Sequence, residues 1–166
     1  TQRRRQRQMC IRDRYNNLKN EFSDDIEFIT GRVYKNVIAS FGTEKSSYSV
    51  RAVNPDHQFI EKSEIKNGRF INTLDIQNNT KNIVIGNLVV EDLFGDINPI
   101  GKYLDLNKIK FKIVGVFVER TEGSDSNEAR VIYMPISTAQ KIYGNNDYID
   151  QINLTYNPNL TEQEAI

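Results

Sequence analysis

The sequence predicts an α+β fold of mixed and antiparallel sheets with short packed helices. Three observations carry that expectation. The apolar runs have strand length, as in Ile83–Ile85 and Ile113–Val118, and none approaches the roughly 18 residues of a membrane-spanning helix. Several segments alternate apolar and polar residues between turn signals, the pattern of β-hairpins. A few short segments repeat apolar residues at spacings of three and four, the period of a helix packed on one face. With 166 residues, 38% of them hydrophobic and 27% charged, the chain is long enough for one domain or two small lobes sharing a core.

From the N-terminal side, Tyr15, Leu18 and Phe22 form the end of a helix that Ser23-Asp24-Asp25 breaks. Ile26–Ile29 and Arg32–Phe41 read as two strands, and Gly42–Lys45 turns the chain into a third, Ser46–Val53. Asn54-Pro55-Asp56 reads as a helix start with Pro55 at the first helical position, and Lys66-Asn67-Gly68 ends that stretch. Phe70-Ile71 is short and extended, and Thr73–Gln77 makes one helical turn. Asn82–Ile85 is a strand, Gly86 a turn and Asn87–Phe94 a helix whose Val89/Leu93 and Val90/Phe94 pairs share a face. Lys102–Leu106 and Ile109–Glu119 are strands joined at Asn107-Lys108, followed by a polar loop over 121–128. Arg130–Met134 is a strand ended by Pro135. Ser137-x-x-Gln140 has the form of a capping box opening a helix that Gly144 stops. Ile149–Tyr156 is the last strand, and Thr161-x-x-Glu164 is a second capping box. The expected assembly places two or three helices on one side of the sheets.

The charge balance is even, 22 basic against 22 acidic residues, but its layout is not. Arg3, Arg4, Arg5, Arg7, Arg12 and Arg14 crowd the first fourteen positions beside one acid, Asp13, and the remainder carries a net charge of −5. An acidic remainder argues against nucleic acid as the partner. Arg4–Arg14, RRQRQMCIRDR, resembles one reading frame of a transposon-tagmentation sequencing adapter. Residues 1–14 are therefore read as a non-native leader, in preference to a nucleic-acid arm or a polybasic juxtamembrane segment. Cys10 is the only cysteine and lies in that string, so it says nothing about redox compartment. Both ends are read as fragment boundaries.

Little in the chain offers chemistry. His57 is the only histidine. Beside Asp56 at a polar helix start, it reads as a solvated or hydrogen-bonded surface residue rather than a catalytic base. Zinc ligands at working spacing are missing. Asp24-Asp25, Glu91-Asp92 and Asp96 lack the rhythm of a calcium loop, and Glu91-Asp92 faces away from the apolar side of its helix. Gly95 and Gly101 are not followed by a phosphate-loop Lys-Ser/Thr pair. No catalytic, cofactor-binding or metal-binding residue is assigned.

From Gly68 onward the chain resembles the MacB-like periplasmic core domain of ABC-transporter permeases of the MacB/FtsX-like kind. The residues that carry the resemblance are Gly68-Arg69-Phe70, Asp75, Val84-Ile85-Gly86, Leu93-Phe94-Gly95, Asn98-Pro99-Ile100-Gly101-Lys102, Val114-Gly115-Val116, and Ile132–Pro135 followed by Ser137-Thr138-Ala139. Gly86 and Gly95 are expected at turns that a side chain would strain, Leu93 and Phe94 as an apolar anchor, and Arg69 in an ion pair or a bond to a backbone carbonyl. The resemblance implies a domain spanning 15–166, truncated at both ends. About 33–53 would lie in an inserted β-rich lobe and 68–156 largely in a porter-like lobe. It also implies an inner-membrane protein with this domain periplasmic, working with an ABC ATPase subunit, a second permease subunit as a dimer, and a periplasmic adaptor or lipoprotein. A free-standing ligand- or peptide-binding module is the alternative, and a hydrolase using His57 or Glu91 a third reading.

Overall fold

The computed structural model describes residues 13–118, 130–144 and 147–159. A helix over 13–21 (α1) leads into β1 (Ile26–Phe41), β2 (Glu44–Val53), α2 (His57–Ile60), β3 (Glu64–Gly68) and α3 (Thr73–Gln77). There follow β4 (Asn82–Gly86), α4 (Asn87–Leu93), β5 (Tyr103–Leu106), β6 (Ile109–Val118), β7 (Val131–Pro135), α5 (Ile136–Tyr143) and β8 (Gln151–Tyr156). The architecture is a sheet-dominated α+β fold, as expected.

All eight strands belong to one mixed sheet in the order β2-β7-β4-β6-β5-β1-β8. Because β1 also pairs with β2, six of these strands close into a ring, with β8 extending β1 and β3 attached to β6. The β2–β7 and β4–β6 pairs are parallel and the others antiparallel. The Val33–Val53 hairpin, which the resemblance put in an inserted lobe, is hydrogen-bonded into this ring through β7 on one flank and β5 on the other.

Alternation sorts the side chains onto two faces. Val37, Ala39, Val50, Ile83, Ile85, Phe111, Ile113 and Ile132 point inward and pack with Val89 and Leu93 of α4 and Ala139 of α5. On the outer face Val84, Phe117, Val131 and Tyr133 are covered by Phe70 and Ile71. Helices and connecting segments therefore cover both faces, not one side as expected.

Several local expectations hold. The hairpin turn Asn107-Lys108 has positive φ at both residues (48° and 70°), as a two-residue turn between right-twisted strands requires. Helix α3 has the expected bounds and is closed by a reciprocal capping box between Asn72 and Asp75. Others are corrected. Ile26–Phe41 is one strand, because Thr30 and Gly31 continue the ladder opposite Asn153 and Ile152 of β8. The stretch after Asn54 is helical only over His57–Ile60, with Pro55 ahead of the helix, and Glu64–Gly68 is a strand against β6. Gly86 ends β4 with an ordinary extended backbone, φ −69° and ψ 154°, and needs no glycine on that ground. Ser137 is not a cap: α5 starts at Ile136 behind Pro135, and the Ser137 hydroxyl donates to the Ile76 carbonyl at 2.8 Å. The polar loop over 121–128 and the Thr161 capping box lie outside the described residues, as does Cys10.

Candidate functional site

Three places gather polar groups or open surface. The first is the crossing of β3 over β6, where the Gly68-Arg69-Phe70 and Val114-Gly115-Val116 motifs meet. Gly68 stands opposite Gly115, and the Arg69 N–H donates to the Val114 carbonyl at 3.0 Å. The two backbones touch so closely that a Cβ on Gly115 would fall 2.0 Å from the Arg69 carbonyl oxygen. The chain then turns so that the Arg69 guanidinium grips the buried Asp75 carboxylate with two bonds, 2.7 and 3.3 Å, and also donates to the Phe70 carbonyl. Asp75 further accepts from the Asn72 N–H, the Thr80 hydroxyl and the Asn82 amide. Burial pushes the Asp75 carboxyl up, but these donors outweigh it and hold it down at about 2. A carboxylate satisfied on every side is a structural clamp, with no lone pair left for a substrate.

The other motif residues serve packing and turns elsewhere in the fold. Leu93 and Phe94 are buried, Phe94 stacking on Phe41 with ring centres 4.1 Å apart. Gly95 follows the helix with φ +59°, as a C-terminal cap does. Pro99 is buried, and the Gly101 N–H donates to the Ile113 carbonyl at 2.8 Å. Pro135 ends β7 opposite Val53.

The second place is His57, and here the surface expectation fails. The imidazole is fully buried, 4.8 Å from the Tyr133 ring and 6.2 Å from Phe70. Neither ring nitrogen has a hydrogen-bond partner among the described residues. Burial, then the charges of Arg32 and Arg51, pull its pKa down to about 3. The segment carrying it is pinned to β1: the Ile29 N–H donates to Asp56, the Gly31 N–H to Asn54, and Arg32 pairs with Glu61. The reading of the sequence missed Asn54 and Asp56 as anchors; their signal was two acceptor side chains flanking a proline just beyond a strand.

His57 is neutral in the fold and ordinary when unfolded, so the unfolded chain takes up a proton first. Stability is full above about pH 6.5 and is lost as pH falls from there toward 3. The expected loss is about 2 kcal/mol by pH 5, read as a falling melting temperature, and His57→Phe is expected to remove that slope while holding the stability at pH 7.

The third place lies along the outer edge of β1. There β8 stops at the Arg32–Gln151 pair and β5 begins only at Ala39–Leu106. Beside this seam is a cleft of about 340 Å3 lined by Tyr34, Lys35, Gln140, Tyr143, Tyr148 and Asp150, among others. The candidate carboxylates are elsewhere. Asp92 accepts from the Tyr48 hydroxyl at 3.0 Å and pairs with Arg130, while Glu91 and Asp96 are exposed. Among the described residues no group of three His, Cys, Asp or Glu side chains is placed to hold a metal.

The description "MacB-like periplasmic core domain" matches residues 4–166. The chain belongs to that family. Among curated relatives of this MacB-like domain, the macrolide export ATP-binding/permease protein MacB of Chlorobium phaeobacteroides is 30% identical over 68% of this chain and 17% of its own length. MacB of Campylobacter fetus subsp. fetus is 32% identical over 75% of this chain and 19% of its own. The MacB-like chain thus spans less than a fifth of those relatives. Its fold is that of the periplasmic region of MacB from Actinobacillus actinomycetemcomitans, with a TM-score of 0.78 at 20% identity over 90% of this chain and 65% of that one. The extracellular domain of the noncanonic ABC-type transporter YknZ from Gram-positive bacteria gives 0.72 at 19% identity, over 86% and 70%. Among the described residues no helix is long and apolar enough to cross a membrane.

Proposed function

We propose that this domain is the extracytoplasmic part of an ABC-transporter permease subunit in the inner membrane. In this reading it passes ATP-driven motion to the partners that hold or release the substrate. The observation that carries the proposal is the family match over 4–166, joined to a fold built as one closed hydrogen-bonded ring. A ring whose strands are each held on both flanks moves as one piece, and that is what transmission of displacement requires. The domain performs no catalysis; its buried carboxylate is spent on structure, and ATP hydrolysis belongs to a separate ATPase subunit or region. The working unit is a permease dimer, with a periplasmic adaptor or lipoprotein as an outer partner.

The test is made in the full-length permease with its ATPase, reconstituted in proteoliposomes. Replacing 15–159 with a flexible Gly/Ser linker is expected to abolish substrate export while ATP hydrolysis persists. Export that continues unchanged across the linker would overturn the proposal.

A further inference from the structure

We propose that the seam of the ring between β5 and β8 accepts an extended peptide segment bearing an acidic side chain, bound as an added strand on β1. The inference does not rest on the transport reading, since it follows from the open edge of β1 and the side chains beside it.

The hairpin turn at Gly42-Thr43 makes Phe41 and Glu44 the closing pair, so the odd-numbered residues of β1 direct their N–H and C=O groups to β2. The even-numbered residues face the other edge. At its two ends that edge is occupied: by β8 up to Arg32 and by β5 from Ala39. Between them, over 33–38, no strand runs along that edge among the described residues, although the Asn107 N–H also reaches the Ile38 carbonyl at 3.0 Å. Two side chains stand in for one at the margins. Asp150 accepts from the Tyr34 N–H at 2.8 Å, and Asn107 accepts from the Ile38 N–H at 2.9 Å. Asn36 lies midway, its N–H and C=O directed into the opening, with no strand opposite it among the described residues.

A backbone that exchanges two hydrogen bonds with Asn36 must be extended and, to align with β5 and β8, antiparallel to β1. That geometry selects a peptide. It also places the side chains. The residue opposite Asn36 points outward, and the residues before and after it point inward, opposite Val37 and Lys35. Lys35 stands 5.7 Å from the centre of the Tyr143 ring, at the rim of the cleft. The Tyr143 hydroxyl is buried without a hydrogen-bond partner among the described residues. The carboxylate that lines the cleft, Asp150, is engaged by the Tyr34 N–H and by the Tyr148 hydroxyl. Lys35 is thus the charge offered to a guest, and it calls for Glu or Asp one position after the residue opposite Asn36, with an apolar residue one position before.

The probe is the peptide acetyl-Ser-Val-Thr-Glu-Ser-amide, titrated into the 15N-labelled chain and followed by amide shifts. Saturable shifts are expected at Asn36, Lys35 and Tyr143. Replacing the peptide's glutamate with lysine is expected to weaken binding about fivefold, and Lys35→Glu to reverse that preference. Asn36→Pro removes only the N–H that faces the seam, so it is expected to abolish binding while β1–β2 pairing persists. Saturation confined to other residues, or binding indifferent to both Lys35→Glu and Asn36→Pro, would overturn the proposal. If Asn36→Pro fails to fold, the charge reversal at Lys35 decides alone.

Discussion

Replacing Gly115 with alanine is expected to destabilise the fold by about 3 to 5 kcal/mol, a fall on the order of 10 °C in melting temperature. The cause is contact, not conformation. The new methyl would lie 2.0 Å from the Arg69 carbonyl oxygen and 3.0 Å from its carbonyl carbon, and both are backbone atoms held by the β3–β6 ladder. Relief requires β3 to lift from β6, which breaks the Arg69–Val114 bond and uncovers Phe70. Gly68 is bound to the same place, since its own Cβ would meet the Val114 oxygen at 2.1 Å. Gly95 is the control. Its φ is +59° but no described residue lies within 4 Å of its Cβ position, so alanine there is expected to cost only about 1 to 2 kcal/mol. Thermal unfolding followed by circular dichroism compares the two, and equal losses would refute the steric account.

Asp75→Ala is expected to cost about 3 kcal/mol, because it strands the Arg69 fork, the Thr80 hydroxyl, the Asn82 amide and the Asn72 N–H at once. Arg69→Ala is expected to cost less, about 1 to 2 kcal/mol, since the arginine is half exposed and the carboxylate keeps its other three donors. The same clamp has a pH signature. The Asp75 carboxyl sits at about 2 in the fold against 3.8 for the free group. Its contribution is therefore full above about pH 4 and lost as pH falls toward 2, about 2 kcal/mol in all. Urea unfolding between pH 5 and 2 measures it, in a His57→Phe background that removes the slope of the buried imidazole. Asp75→Asn should flatten the curve in that window; an unchanged curve would assign the acid loss to another group.

What could be read from the chain, and what could not, follows from how local each cause is. The β5–β6 hairpin was legible because two alternating runs flank a pair of turn residues, and α3 because its start and stop are neighbours in sequence. Gly95 was legible as a strained turn for the same reason. Strand β3 was not: Glu64–Gly68 holds one apolar residue, and its strand character comes from β6, some fifty residues away. Thr30-Gly31 looked like a break because the strand that continues through it pairs with β8, whose register no local pattern reveals. The burial of His57 depends on Phe70 and Tyr133, which reach it only once the outer face is assembled. Motif resemblance singled out Asp75 and Arg69, but only the structure shows that they hold each other.

Strand β1 runs for 16 residues, about 50 Å, and ten of its residues pair with β2 while six pair with β8. A tension applied lengthwise at the Ile26 end would therefore load many cross-strand bonds simultaneously, in shear. Rupture then needs most of them to fail together, unlike a zipper that opens one tooth at a time. β1 is the mechanical spine of the domain, and β3, paired through four of its five residues with β6 alone among the described residues, is the element that would peel first.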